Sequence, residues 1–435
     1  MLIKWIDRIL QKNLPRRELG IVPDWKKCHQ SYIYDRRTGR EYLDFMTHFA
    51  SLPLGYNHPK LMTRSFEKHL ILATRHKIAN PDFFAEEFAE FLKVFIEIAG
   101  LPNFHHFFFI DGGALAVENA LKTAFDWKTH KNLIKGKNIE ASKIIHFHQA
   151  FHGRSGYTLS MTESPDLNKT KFFPKFDWPR IINPKRQFPD SAQEEERIKK
   201  EEARAVAEIK TFLSQCPDQS AGIIIEPIQG EGGDNHFRKE FFAALRNLCD
   251  ENEMLLIFDE VQTGVGISGK MWCCQHFDVM PDIVAFGKKT QICGIQASPK
   301  LDEVENVFSV PSRISSTFGG SLEDMVRSQR YLEIIHEEHL VAHAAKTGKL
   351  FLEKLEDIQK RFPMMSQVRG RGLMIAFDLP SGEDCERLIK KNEEAGLLLL
   401  RCGKNSIRFR PPLNVRASEI DEACAILETT LNTAS

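Results

Sequence analysis

Short runs of consecutive apolar residues recur along the chain, and each closes on polar or small residues. They are HHFFFIDGG at 105–113, KIIHFHQAF at 143–151, AGIIIEP at 221–227, MLLIFDE at 254–260 and PDIVAFGKK at 281–289. Apolar residues at successive rather than alternate positions predict strands covered on both faces. Between these runs lie segments of helical periodicity: ALAVENALKTAFDW at 114–127, EARAVAEIKTFLSQ at 202–215 and KEFFAALRNLCDE at 239–251. Strand and helix alternating in this order predict an α/β domain with a mostly parallel sheet. After about residue 325 amphipathic helices take over, followed by two short strand candidates, GLMIAFDL at 372–379 and NSIRFRPPL at 405–413. That change of texture predicts a smaller α+β domain. The expected division is an N-terminal segment (1–75) joining the small domain, a large domain (76–325) and the small domain itself (326–435).

Two further stretches are helical by pattern. In MLIKWIDRILQKNL the apolar set Leu2, Ile3, Ile6, Ile9 and Leu10 predicts an amphipathic helix packed on the protein. No continuous apolar core or small-residue cleavage site accompanies it, and Asp7, Glu18 and the scarcity of Ser argue against a presequence. The segment DSAQEEERIKKEEARAVAEIK (190–210) carries both signs of charge and predicts a solvated helix with spaced ion pairs.

Composition narrows the function classes. Lys+Arg and Asp+Glu both total 59 in 435 residues, so no net field favours nucleic acid or an acidic membrane surface. No run is long and apolar enough to span a bilayer. The nine cysteines include no CxxC pair, which fits a reducing cytoplasm better than a disulfide framework. His130, His146, His148 and His152 match no zinc motif, so no metal site is expected.

Ligands in open α/β sheets bind beyond the carboxyl ends of the strands, and there this chain carries reactive residue types. Gly112, Gly113 and Ala114 open a helix directly after a strand, an arrangement that lets a phosphate approach backbone amides. Phe151 and Arg154 offer a stacking face and a carboxylate clamp. Asp259 and Glu260 end a strand of five apolar residues, where a carboxylate needs a cationic partner. The protonated nitrogen of a pyridoxal ring is one such partner. A magnesium-binding Asp of a nucleotide hydrolase would require a GxxxxGK[ST] loop, which is absent. No GxGxxG opens a helix either, which removes a dehydrogenase. Finally, Lys288 and Lys289 follow Gly287 at the end of an apolar strand, and partial desolvation would make either a Schiff-base nucleophile. Spacing alone does not choose between them.

The order of these elements resembles the class III aminotransferases, a branch of the fold-type I pyridoxal-phosphate enzymes, over nearly the whole chain. The matching pieces are GGALAVENALK (112–122), FHGRSGY (151–157), EPIQGEGG (226–233), DEVQTGVG (259–266), PDIVAFGKK (281–289) and STFGG (316–320). The resemblance implies a large domain with a mostly parallel seven-stranded sheet, pyridoxal 5′-phosphate as cofactor, and a homodimer with shared active sites. It also implies Lys288 as the cofactor-bearing lysine, at an ungapped distance from Asp259. Asp259 would meet the ring nitrogen, Gln262 the ring oxygen and Phe151 the ring face. Gly113 and Ala114 would hold the phosphate with Thr317 of the other subunit, near Ser315, which stands where the lysine-specific branch has Asn. Within the class the motifs are most similar to the enzymes acting on the ε-amine of L-lysine with 2-oxoglutarate. The branches for 4-aminobutyrate or ornithine are the alternative. In the lysine branch Arg154 would bind a distal carboxylate, and Glu231 would cover Arg408 in one half-reaction and release it in the other. Arg410, two residues on, is expected on the opposite face from Arg408.

Overall fold

The computed structural model describes residues 2–14 and 20–434. Glu18 and the chain ends that bound the expected domains at 1 and 435 therefore lie outside the described residues. Seven strands form the central sheet: β1 (His106–Ile110), β2 (Lys143–Phe147), β3 (Arg180–Ile181), β4 (Ser220–Ile225), β5 (Leu255–Asp259), β6 (Ile283–Phe286) and β7 (Cys293–Ala297). Their spatial order is β1-β7-β6-β5-β4-β2-β3. All neighbours run parallel except β7, which is antiparallel to both β6 and β1. The five apolar runs became β1, β2, β4, β5 and β6. The strand β7, CGIQA, was not anticipated, because it is short and interrupted by Gly294. That glycine is required: a Cβ there would sit 2.2 Å from the Phe108 carbonyl oxygen.

Successive apolar residues on these strands serve two different cores. Ile223, Ile225, Leu256, Phe258, Val284 and Phe286 face a core completed by Phe241, Phe242 and Leu245 of the helix Lys239–Glu251. Their neighbours Ile224, Leu255, Ile257, Ile283 and Ala285 face the opposite core, built on Val117, Ala120, Leu121 and Ala124 of the helix Gly113–Ile134. Each fully buried Ile or Phe contributes about 1.5–3 kcal/mol, which is why neither face tolerates alternation with polar residues. The charge-dense segment forms the helix Ala192–Gln215, capped by Ser191 and carrying the i,i+4 pairs Glu195–Lys199 and Glu196–Lys200 on its exposed side.

A second, antiparallel sheet contains β8 (Ser366–Arg371), β9 (Met374–Asp378), β10 (Leu400–Cys402) and β11 (Ser406–Phe409), in the order β8-β9-β11-β10. The N-terminal strand Glu41–Asp44 pairs in parallel with Leu397–Leu398, so the two ends of the chain meet in one small sheet. The helix Leu2–Asn13 forms as its periodicity predicts, but it differs in packing. Trp5, Ile9 and Leu10 are each more than two-fifths exposed. Ile3 and Ile6 are partly buried. Among the described residues no helix is long and apolar enough to cross a membrane.

Candidate active site

The carboxyl ends of β2, β4, β5 and β6 converge with the second sheet. Lys288 follows β6 with a left-handed backbone (φ 51°) in the single turn Lys288–Thr290. Its side chain is partly buried, within reach of the charges of Arg408, Arg410, Asp259 and Glu226. Loss of hydration pulls its pKa down to about 8, with the charges of Arg408 and Arg410 adding to the fall and those of Asp259 and Glu226 opposing it. Lys289 is different. Its buried Nζ donates to the Gln262 carbonyl at 2.6 Å and reaches the Ala50 carbonyl at 3.5 Å. Burial holds this amine far below the usual lysine range. Lys289 is thus consumed by backbone carbonyls, whereas the Lys288 amine has no such partner among the described residues.

Asp259 and Glu260, adjacent at the end of β5, are also separated. Glu260 accepts the Cys273 and Cys274 amides at 2.7 and 2.8 Å and the Thr263 hydroxyl at 2.8 Å, which is structural work. Asp259 is 4% exposed and sits 2.8 Å from Nδ1 of His152, while its second oxygen accepts the Val261 amide at 3.1 Å. The partner expected for the carboxylate therefore includes an imidazole that sequence reasoning passed over. The other ring nitrogen of His152 is buried without a partner among the described residues. The remaining three histidines of that group are dispersed. His146 is buried beside Arg180, His148 meets Glu163, and His130 lies near Asp126 and Glu305.

Glu226 was likewise missed. Its oxygens accept the Phe151 amide at 2.8 Å and the Gly230 amide at 3.2 Å, so one buried carboxyl ties the aromatic to the following loop. Burial pushes its pKa up, with the charge of Asp259 adding and His152 opposing. A signal was available: AGIIIEP ends in a carboxylate just as MLLIFDE does.

The loop 230–234 carries Glu231 and is docked on the second sheet. The Gly403 amide donates to the Glu231 carbonyl at 2.8 Å, and Arg369 donates to the Gly233 and Asp234 carbonyls. This holds the Glu231 carboxylate 2.8 Å from Nη2 of Arg408 on β11. Its other oxygen accepts from Nζ of Lys169 at 2.5 Å, a partner the sequence did not suggest. Burial opposes ionisation of Glu231, but Arg408 and then Lys169 outweigh it and hold its pKa low. Nε and Nη1 of Arg408 are buried without partners.

Arg410 needs a correction. Residues two apart on a strand share a face, and both arginines depress the Lys288 amine. Arg410 differs from Arg408 by its partners instead. It is fully buried, paired with Asp234, and donates from Nε to Gln262 Oε1 at 3.0 Å.

The remaining expected residues lie at strand ends and in loops. Gly113 and Ala114 open the helix after β1, where a Cβ on Gly113 would meet Val261 at 2.9 Å and one on Gly153 would meet Ala114 at 2.6 Å. The strand-end turns thus press together at the start of that helix. Phe151 is half-buried, Arg154 is exposed with no side-chain partner among the described residues, and Ser315 and Thr317 lie exposed in a loop. Helix amides for a phosphate, a buried carboxylate for a ring cation, an aromatic face and an unpaired amine fit pyridoxal phosphate.

The class-III aminotransferase family model matches residues 15–431. An L-lysine-epsilon aminotransferase of Mycobacterium tuberculosis is 46% identical, the match covering 98% of this chain and 95% of the relative. A 4-aminobutyrate aminotransferase of Kluyveromyces lactis is 32% identical, covering 95% and 91%. The solved structure of a lysine aminotransferase from M. tuberculosis in the internal aldimine form superposes with a TM-score of 0.97 at 45% identity, covering 99% of both chains.

Proposed function

This chain belongs to the class-III aminotransferase family, and from that premise we propose that it is an L-lysine 6-transaminase, passing the ε-amino group of L-lysine to 2-oxoglutarate. The products are 2-aminoadipate 6-semialdehyde, which cyclises, and L-glutamate. Similarity to lysine-specific relatives well above that to the 4-aminobutyrate enzyme supports the donor assignment. Its cofactor is pyridoxal 5′-phosphate. Bound here, that group supplies an electrophilic carbon for the amine and a cationic ring that accepts electron density.

The protein's own residues divide the remaining work. Gly113 and Ala114 would offer helix amides to the phosphate, Phe151 would face the ring, and Gln262 would serve its oxygen. Asp259 would hold a proton on the ring nitrogen, and His152, 2.8 Å from it, fixes that carboxylate. Lys288 Nζ anchors the cofactor and, once released, moves a proton at the substrate's reacting carbon.

One observation carries the donor choice: Glu231 covers Arg408 at 2.8 Å. With Arg408 neutralised, a carboxylate beside the reacting amine finds no cation, so lysine enters ε-amine first and its α-carboxylate reaches Arg154. When Glu231 withdraws, Arg408 binds the α-carboxylate of 2-oxoglutarate bidentately, and Arg154 takes the distal one. Lys169 gives Glu231 somewhere to go.

The homodimer is part of the same proposal. Thr317 of one subunit would complete the phosphate site of the other, beside Ser315. Phe83, Phe84 and Phe172 are large exposed apolar side chains of the kind a subunit interface buries. The division into 1–75, 76–325 and 326–435 and a cytoplasmic location complete it, the latter supported by nine unpaired cysteines. The test is a donor panel of lysine, ornithine and 4-aminobutyrate with 2-oxoglutarate, following glutamate. Lysine should lead; a preference for either rival would overturn the reading.

A further inference from the structure

We propose that His105, His106 and Asp302 form a surface site for a divalent transition metal of the zinc class, which ties the start of β1 to the turn after β7. This site stands apart from the transamination centre and does not rest on the substrate assignment.

The three donors come from two segments. His105 immediately precedes β1 and His106 is its first residue, while Asp302 lies in the single turn Pro299–Glu303 that follows β7. Adjacent residues in a regular strand point to opposite faces. Here both rings instead converge on one carboxylate, with centroids 4.2 Å apart. Nε2 of His105 lies 3.0 Å from Oδ2 of Asp302, and Nε2 of His106 lies 2.9 Å from Oδ1. All three donor atoms fall within 4.8 Å of one another. Among the described residues no other three His, Cys, Asp or Glu side chains meet in this way.

The charge pattern points to a cation. No lysine or arginine pairs with Asp302 among the described residues; its only ionic partners are the two imidazoles. Its neighbour Glu303 is turned away to Lys131. Nδ1 of His105 faces the Asn103 carbonyl at 3.3 Å. An imidazole that faces a carboxylate shares either a proton or a metal ion with it.

The donors are also preorganised. The His106 ring stacks on Phe308 with centroids 4.7 Å apart. The turn bearing Asp302 is fixed by Trp127 Nε1, which donates to the Lys300 carbonyl at 3.1 Å, and by Asn306, which donates to the Leu301 carbonyl at 2.9 Å. Two imidazoles and one carboxylate suit Zn²⁺ with water in the open position, whereas Mg²⁺ prefers oxygen donors alone.

The experiment uses the holoenzyme, stripped of trace metal and titrated at neutral pH with Zn²⁺ or Mg²⁺ against a chromophoric chelator. One Zn²⁺ should bind per chain and Mg²⁺ should not compete. His105→Gln and Asp302→Asn, both at half-exposed positions, should each weaken Zn²⁺ by at least the roughly tenfold that loss of an outer-sphere partner costs. Transamination should be unchanged in both. Zn²⁺ should raise the melting temperature of the parent protein and not of His105→Gln. Absence of Zn²⁺ binding, equal binding in the variants or equal binding of Mg²⁺ would each overturn the site. Binding without a thermal shift would overturn the clamp.

Discussion

Replacing Glu231 by Ala strips Arg408 of its cover and tests the donor switch directly. In the parent protein the pair is a charge-assisted hydrogen bond of 2.8 Å, with Arg408 5% and Glu231 16% exposed. Such bonds contribute about 1.5–3 kcal/mol when buried. The partial wetting of Glu231 and its second partner Lys169 place this one at the lower end, about 1.5–2 kcal/mol. Without Glu231, that energy no longer opposes a carboxylate beside the reacting amine. Glutamate should gain in the first half-reaction, and lysine, bound in the opposite sense, should not. At about 1.4 kcal/mol per decade, the ratio of kcat/KM for lysine to that for glutamate should fall roughly ten- to thirtyfold. Single-turnover half-reactions, followed by the cofactor's absorbance, separate the two donors. An unchanged ratio refutes the switch. So does an equal fall for both donors, because it would show general damage to the site and no change in discrimination.

The two lysines should separate cleanly: Lys288→Ala abolishes turnover and the cofactor-bound absorbance. Lys289→Met keeps both and lowers the melting temperature, because two carbonyls lose a donor at a cost of about 1–3 kcal/mol. With the Lys288 amine at about 8, capture of pyridoxal phosphate by the apoenzyme should accelerate as pH rises and level off above about 8. The sign follows because only the unprotonated amine attacks; a rate flat across that range would contradict it. Lys169→Met removes the competitor for Glu231 and should slow the 2-oxoglutarate half-reaction about two- to fivefold, the range of a partly exposed ion pair. A stopped-flow comparison of the two half-reactions checks this, and slowing confined to lysine would count against it.

The sequence made the strand-end chemistry legible because continuous apolar runs and their closing residues are local. Asp259 and the Lys288–Lys289 pair could be named that way, whereas the choice of Lys288 and the naming of Glu231 came from the family motifs. What remained hidden depended on contacts across the chain. His152 lies 107 positions from Asp259, and Lys169 lies 62 from Glu231. No periodicity reports such a pairing. Glu226 was hidden for another reason: its strand was read for its apolar residues, and the carboxylate that closes it was not weighed as Asp259 was. The apolar stripe of the first helix was read correctly as a stripe. Whether this chain covers it depends on distant surfaces, and Trp5, Ile9 and Leu10 stay exposed.

Arg408 and Arg410 show how one motif, RFRPPL, yields a fixed pair and an exchangeable one. Both side chains bear on the Lys288 amine, so orientation does not distinguish them. Burial of the partner does. Arg410 and Asp234 are both 0% exposed, and Arg410 also holds Gln262. Separating them would strand two charges away from water, a cost of about 3–5 kcal/mol. Glu231 keeps a wet edge, and its second oxygen already contacts Lys169. It can leave Arg408 without ever being an unpaired charge. Arg408 in turn keeps two buried nitrogens unfilled, so an incoming carboxylate replaces the lost contact and adds another. Under the proposed switch, exchange at Arg408 is therefore nearly balanced, and that balance would let a single arginine ignore one substrate and bind the next.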